Sequence, residues 1–185
     1  MSSAMLVLAS GLLALTTSTI AVSIQVQLDR FEQETGFNLA DATRVRVRKF
    51  NRTTSVLDGG GDVFFDVGDN YTSTLTVAYS RLGNNQFNEY PMKISKAKVC
   101  ELLNGPYKEY QHLVKDYSNL PQIGKDRLCP LPRGYYWVKN WAPDNSWVPP
   151  VVPGGYWRFT FDLMDLQDTV LLRYRGYAHL IKGIV

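Results

Sequence analysis

Between Tyr156 and Leu163 the chain alternates strictly, with Trp157, Phe159, Phe161 and Leu163 interleaved with Tyr156, Arg158, Thr160 and Asp162. A period of two places one set on each face of an extended strand, whereas a helix would scatter both sets around its axis. Aromatic side chains suit a pleated, half-buried surface, so this stretch commits its surroundings to a sheet with one apolar face. The same period returns at Arg44-Val45-Arg46-Val47-Arg48, where the valines face a core and the arginines face water. It returns again where Leu75, Val77 and Tyr79 oppose Thr74, Thr76 and Ala78, and along Leu172, Tyr174, Gly176, Ala178 and Leu180. Tyr135-Tyr136-Trp137 opens one more strand.

Turn chemistry divides these runs. Asp58-Gly59-Gly60-Gly61-Asp62 is expected to be a hairpin turn leading into a strand at Val63-Phe64-Phe65. It lacks the ligand spacing of an EF-hand, and a strand follows it where a phosphate loop would be followed by a helix. In the middle of the chain, Ser95 can cap a helix carrying Val99, Leu102 and Leu103, which Asn104-Gly105-Pro106 would end. A second helical stripe joins Tyr107, Tyr110, Val114 and Tyr117 before Ser118-Asn119 and Pro121 stop it. The prolines between Trp147 and Gly155 cannot donate to a ladder and mark a loop or a sheet edge. The expected fold is therefore mainly β, an immunoglobulin-like β-sandwich or β-cup, with one or two short helices in the middle.

The N-terminus sets the compartment. Met5-Leu6-Val7-Leu8 and Leu12-Leu13-Ala14-Leu15 precede a small-residue stretch ending Ala21-Val22-Ser23, which reads as a signal peptide over residues 1–23. Thr16, Thr17, Ser18 and Thr19 interrupt the apolar run before it reaches the length of a membrane span. Residues 24–185 then form one secreted domain without a transmembrane segment, since about 160 residues suffice for one core. The two cysteines, Cys100 and Cys129, are expected to pair in an oxidising lumen. The alternative is a metal site, but the only histidines, His112 and His179, complete no tetrahedral set near them. Asn51-Arg52-Thr53 and Asn70-Tyr71-Thr72 are glycosylation sequons, so Asn51 and Asn70 are candidate acceptors. A net charge of +3 is too small to point to nucleic acid.

No catalytic constellation emerges. Neither histidine sits in a metalloprotease motif, no nucleophile elbow occurs, and a cysteine nucleophile would have to escape the disulfide. The expectation is a protein that is not an enzyme and needs no cofactor.

A set of segments appears in a recognisable order: Lys49-Phe50-Asn51-Arg52-Thr53, then Val99-Cys100-Glu101-Leu102-Leu103, then Cys129-Pro130-Leu131-Pro132-Arg133-Gly134-Tyr135-Tyr136, then Pro153-Gly154-Gly155-Tyr156-Trp157. The set resembles an insect family of secreted proteins known as a domain of unknown function. That family is similar to the CheB chemosensory proteins and, through them, to the ganglioside activator and the MD-2-related lipid-recognition fold. The resemblance runs from about residue 40 to the C-terminus. It implies a cup whose apolar interior accepts a lipid or another hydrophobic small molecule, without catalysis, and an extracellular receptor or sensory role for the loaded protein. With only two cysteines the chain lacks the additional bridges of the ganglioside activator, so that protein's loop geometry does not carry over.

The implied pocket lining is Phe65, Leu75, Val77, Tyr79, Trp157, Phe159, Phe161, Leu172 and Tyr174. Spacing alone favours a filled core at these positions, because the inner faces of ordinary sandwiches look the same; the pocket rests on the resemblance. Arg44, Arg46, Arg48 and Lys49 either hold an anionic head group at the rim or form the solvated face of a strand. Trp141 and Trp147 either sit at the mouth of the cup, as a gate or a membrane-touching tip, or pack down as a lid over the core. The rival to a carrier is a secreted protein interaction module with a solid core, whose exposed Tyr, Trp and Arg residues bind another protein.

Overall fold

The computed structural model describes residues 22–184, so nearly all of the expected leader lies outside the described residues. Antiparallel strands build two sheets. The larger has five strands, β1 (Val22–Thr35), β9 (Val170–Ile184), β8 (Gly155–Met164), β5 (Thr72–Ser80) and β6 (Asn88–Lys98), in that spatial order. In the smaller, β2 (Ala40–Asp41) and β3 (Arg46–Lys49) follow one another along one edge of β4 (Ser55–Val63), and β7 (Gly134–Trp141) lies along the other. The chain is a β-sandwich or cup, as its alternation requires.

The triple glycine departs from expectation. It is the middle of β4, not a hairpin turn, with Gly59, Gly60 and Gly61 opposite Val138, Trp137 and Tyr136 of β7. A Cβ at Gly59 would lie 2.1 Å from the carbonyl oxygen of Arg44, and one at Gly60 would lie 2.2 Å from the Tyr135 hydroxyl. These glycines admit a neighbouring backbone and an aromatic ring, a use of glycine that leaves the same composition in sequence as a turn. The strand ends at Val63, so Phe64 is exposed and Phe65 turns inward against Tyr71, with ring centroids 5.2 Å apart.

The two expected helices are one. Ser95 lies in β6, and the helix starts at Val99, where the Asp69 carboxylate accepts the Cys100 N–H at 3.1 Å and supplies a cap from outside the helix. Its α-turn Val99–Leu102 continues through a π-turn Leu103–Tyr107, an α-turn Lys108–Tyr110 and a 3-10 turn Gln111–Leu113. Pro106 cannot donate an intrahelical bond, and the wider π-turn carries the chain past it instead of ending the helix. Cys100 and Cys129 form a disulfide with 5.4 Å between their Cα atoms. Asn104 closes the same loop by donating to the Leu128 carbonyl at 2.8 Å and accepting from its N–H at 2.9 Å.

Two apolar clusters form the core. The first joins the sheets and the helix through Ala40, Val67, Val99, Leu103, Ile123, Leu163 and Leu172. The second gathers Val77, Val152, Trp157 and Leu180, with Val148 packed against it. Its cover is the proline-rich segment, which is a lid over the larger sheet. Tyr79 donates its hydroxyl to the Gly154 carbonyl at 2.9 Å, and the Trp157 indole donates to Pro153 at 3.2 Å. Trp141 is likewise tied down, donating to the Leu113 carbonyl at 2.9 Å. The Trp147 side chain lies outside what the structure describes.

Candidate functional site

Strand pairing converts the alternating pattern into rows across the inner face of the larger sheet. One row runs Leu75, Phe161, Tyr174, Gln33; the next runs Val77, Phe159, Gly176, Phe31; the third runs Tyr79, Trp157, Ala178, Leu28. The first core cluster holds Phe65, Phe161, Leu172 and Tyr174, and the second holds Val77, Tyr79, Trp157 and Phe159. Leu75, half-buried, belongs to neither. The predicted pocket residues thus lie beside one another on one sheet or packed under it, but they divide between two clusters.

Gly176 lies between those clusters. On β9 it separates Leu172 and Tyr174 of the first from Leu180 of the second, and across the row it separates Phe159 from Phe31. A Cβ built at Gly176 meets no atom within 4 Å, so the space above it is open. Its phenyl neighbours, Phe31, Phe159 and Phe161, are only half-buried. Phe31 and Tyr174 stand 5.6 Å apart between ring centroids, and Phe161 and Tyr174 stand 6.3 Å apart, beside that open position. Burial first, and the Asp41 charge second, push the Tyr174 hydroxyl up to about 12. The Tyr174 hydroxyl is therefore neutral over the range in which most proteins work.

Sequence reasoning placed Gly176 on the correct strand and did not single it out, and it missed Phe31. The available signal was a glycine at an inward position of an otherwise bulky strand, which marks close approach of something other than a side chain. Two other spaces lie elsewhere. A cavity of about 70 Å³ on the opposite face of the larger sheet takes only Trp157 from the predicted set, and an open depression of about 350 Å³ is formed by Glu101, Asn104, Gly105, Lys108 and Arg127.

Of the arginine row, Arg46 and Arg48 lie in β3 and Arg44 in the turn that precedes it, so the strand starts two residues later than expected. Arg44 pairs with Asp62 at 2.6 Å and Arg48 with Asp58 at 3.1 Å, so the aspartates flanking the triple glycine hold those guanidinium groups. The Arg48 hydrogen bond keeps the Asp58 carboxyl below the ordinary carboxylate range. Among the described residues, Asp69, Cys100 and Cys129 bring metal-ligand atoms together, but both sulfurs are joined in the disulfide and Asp69 caps the helix. Asn51 and Asn70 are both exposed. The Asn51 side-chain oxygen accepts the Thr53 and Thr54 N–H groups at 2.9 and 2.8 Å, which leaves its amide nitrogen, the atom a glycan would join, outside that turn. His112 is exposed on the helix.

Fold and site define a disulfide-closed, antiparallel two-sheet protein with open space above Gly176 on the inner face of its larger sheet. Its residues 73–159, from β5 into β8 and including the helix and the disulfide, match the family model described as protein of unknown function (DUF1091). No curated protein matches the chain. Among the described residues, no helix is long and apolar enough to cross a membrane.

Proposed function

We propose that the chain is a secreted, non-enzymatic binding protein that shelters a lipid or another hydrophobic small molecule in a furrow above Gly176. The observation that carries this reading is the open space at Gly176, flanked by half-buried phenyl rings where two core clusters fail to meet. Each methylene removed from water contributes roughly 0.8 kcal/mol before ordering and association costs, so affinity rises with chain length. The resemblance to CheB proteins and to the MD-2-related fold supports the same reading and adds sensory presentation to a receptor. The leader-like residues 1–23 and the disulfide support export. Cleavage after Ser23 would keep the β1–β9 ladder from the Ile24↔Lys182 pair onward.

The test is Gly176→Val, titrated with a fluorescent fatty-acid probe. Valine suits a strand and meets no atom at Cβ, so the melting temperature is expected to hold or rise while probe binding is lost. Undiminished binding by a folded Gly176→Val protein would remove the furrow as the site. Phe159→Arg is the companion variant and is expected to lose binding as well.

A second reading, a protein interaction module, is favoured by the outward row of β7. Tyr135 and Trp137 are exposed there, with the Arg44 guanidinium 5.2 Å from the Tyr135 ring centre. Native mass spectrometry after secretion separates the two, because co-purifying lipid supports the carrier and an empty interior from several hosts supports the module.

A further inference from the structure

The opposite face of the larger sheet carries a small cavity. Arg30 of β1, Tyr177 of β9 and Arg158 of β8 stand in one row across it, because Tyr177 pairs with both arginines. The Arg30 guanidinium lies over the Tyr177 ring at 3.8 Å, and the Arg158 guanidinium lies over Phe87 at 4.9 Å. In the adjacent row Tyr156 and His179 stack with centroids 4.2 Å apart. The 81–87 segment folds back over these rings, and two residues with positive φ, Gly83 at 69° and Asn85 at 65°, let it do so. A Cβ at Gly83 would meet the Tyr156 ring at 2.8 Å, so only glycine permits that approach.

Between this segment and the sheet lies the cavity of about 70 Å³, lined by Asp29, Arg30, Asn85, Tyr156, Tyr177 and Phe87 among others. That space is enough for a few waters or one very small solute. Its charged lining is one carboxylate and one guanidinium, which lie beyond ion-pair distance of each other although the Asp29 charge still acts on Arg30. The carboxylate within ion-pair distance of Arg30 is Glu32, at 3.9 Å. Asp29 is the residue skipped by the register shift between Leu28 and Arg30, and such a bulge re-aims a side chain away from its ladder neighbours. The rings of Tyr156, Tyr177 and Phe87 complete the wall, with Arg30 and Arg158 already lying over two of them.

We infer that this cavity binds a small zwitterion of the amino-acid class, its carboxylate held by Arg30 and its ammonium by Asp29 against the aromatic walls. A simple anion would meet Asp29 and a simple cation would meet Arg30, so each half alone is disfavoured by the group that holds the other half. The site is independent of the furrow, which opens on the other face of the sheet.

The experiment is an amide-resolved NMR titration of the intact protein with glycine, and separately with acetate and with methylammonium. Saturable shifts at Asp29, Gly83 and Asn85 are expected with glycine, at about tenfold higher affinity than with either half, the scale of one charge-assisted hydrogen bond. Asp29→Asn and Arg30→Gln, both at exposed positions, are each expected to weaken glycine binding about tenfold. Gly176→Val is expected to leave it unchanged. Equal response to all three solutes, full glycine binding by Asp29→Asn, or no saturable shift would overturn the inference.

Discussion

The two faces of β8 and β9 obey the same alternation and end up physically different. Inward, Trp157, Leu163, Leu172 and Leu180 are buried in cluster cores, while Gly176 leaves a gap among half-buried rings. Outward, where a solvated polar face is the simple expectation, Thr160, Asp162 and Tyr177 are each less than a tenth exposed. Arg173 holds Asp162 through two bonds, of 2.6 and 2.9 Å, and the 81–87 segment roofs part of that face. Alternation therefore assigns side chains to faces, and it leaves open which face is wet. An apolar face can keep open space, and a polar face can be sealed by ion pairs and stacked rings.

The comparison breaks most readily at Trp157. Trp157→Ala should destabilise the protein by about 3 to 5 kcal/mol, because the indole is 4% exposed and joins the sheet to the proline-rich lid. Urea denaturation measures this, and a loss below 1 kcal/mol, far under the usual range, would show that the second cluster does not support the sheet.

Next is Asp162→Ala, which leaves the half-buried Arg173 guanidinium without its two charge-assisted bonds. A loss of about 1.5 to 3 kcal/mol by the same measurement would put the outward face on a footing with the core, whereas no loss would return it to an ordinary surface.

Alkali sharpens the contrast from the inner side. The Tyr174 hydroxyl ionises near 12 when folded and near 10 when unfolded, so the folded state retains the proton longer. Its contribution to stability is complete below about pH 10 and declines as the pH rises toward 12. Urea midpoints on either side of pH 10 should fall less for Tyr174→Phe than for the unaltered protein; parallel declines would mean that Tyr174 is not desolvated.

The smallest effect belongs to Arg30, whose side chain is half exposed. Arg30→Ala should cost only about 0.5 to 1 kcal/mol through the lost cation-π contact, measured as a small shift in melting temperature. A larger loss would make the outward cavity part of the scaffold and not a site set upon it.

Local signals announced much of this architecture because they report strands one at a time. The alternation at 156–163 and at 172–180 became β8 and β9, and Arg44, Arg46 and Arg48 are exposed with half-buried valines between them. The cysteine pair closed as expected. Glycine and proline were read less well, because the same residue serves opposite ends. Gly59 to Gly61 have the composition of a turn and are a strand, since their missing side chains matter to Arg44 and Tyr135, which are distant in sequence. Pro106 looks like a helix stop and is absorbed by a π-turn that remains packed against the core through Leu103 and Tyr107.

By itself, then, the amino-acid order decided which side chains lie on which face, that two sheets would form, and that one disulfide would tie the middle of the chain. These follow from the pleat and from a single cysteine pair, which are short-range or exclusive constraints. Only the tertiary structure decided that the inner face would be filled at both ends and open above Gly176, and that the outer face would be roofed. Such outcomes depend on which strands become neighbours and how far apart they are held, and no local period encodes distance between sheets.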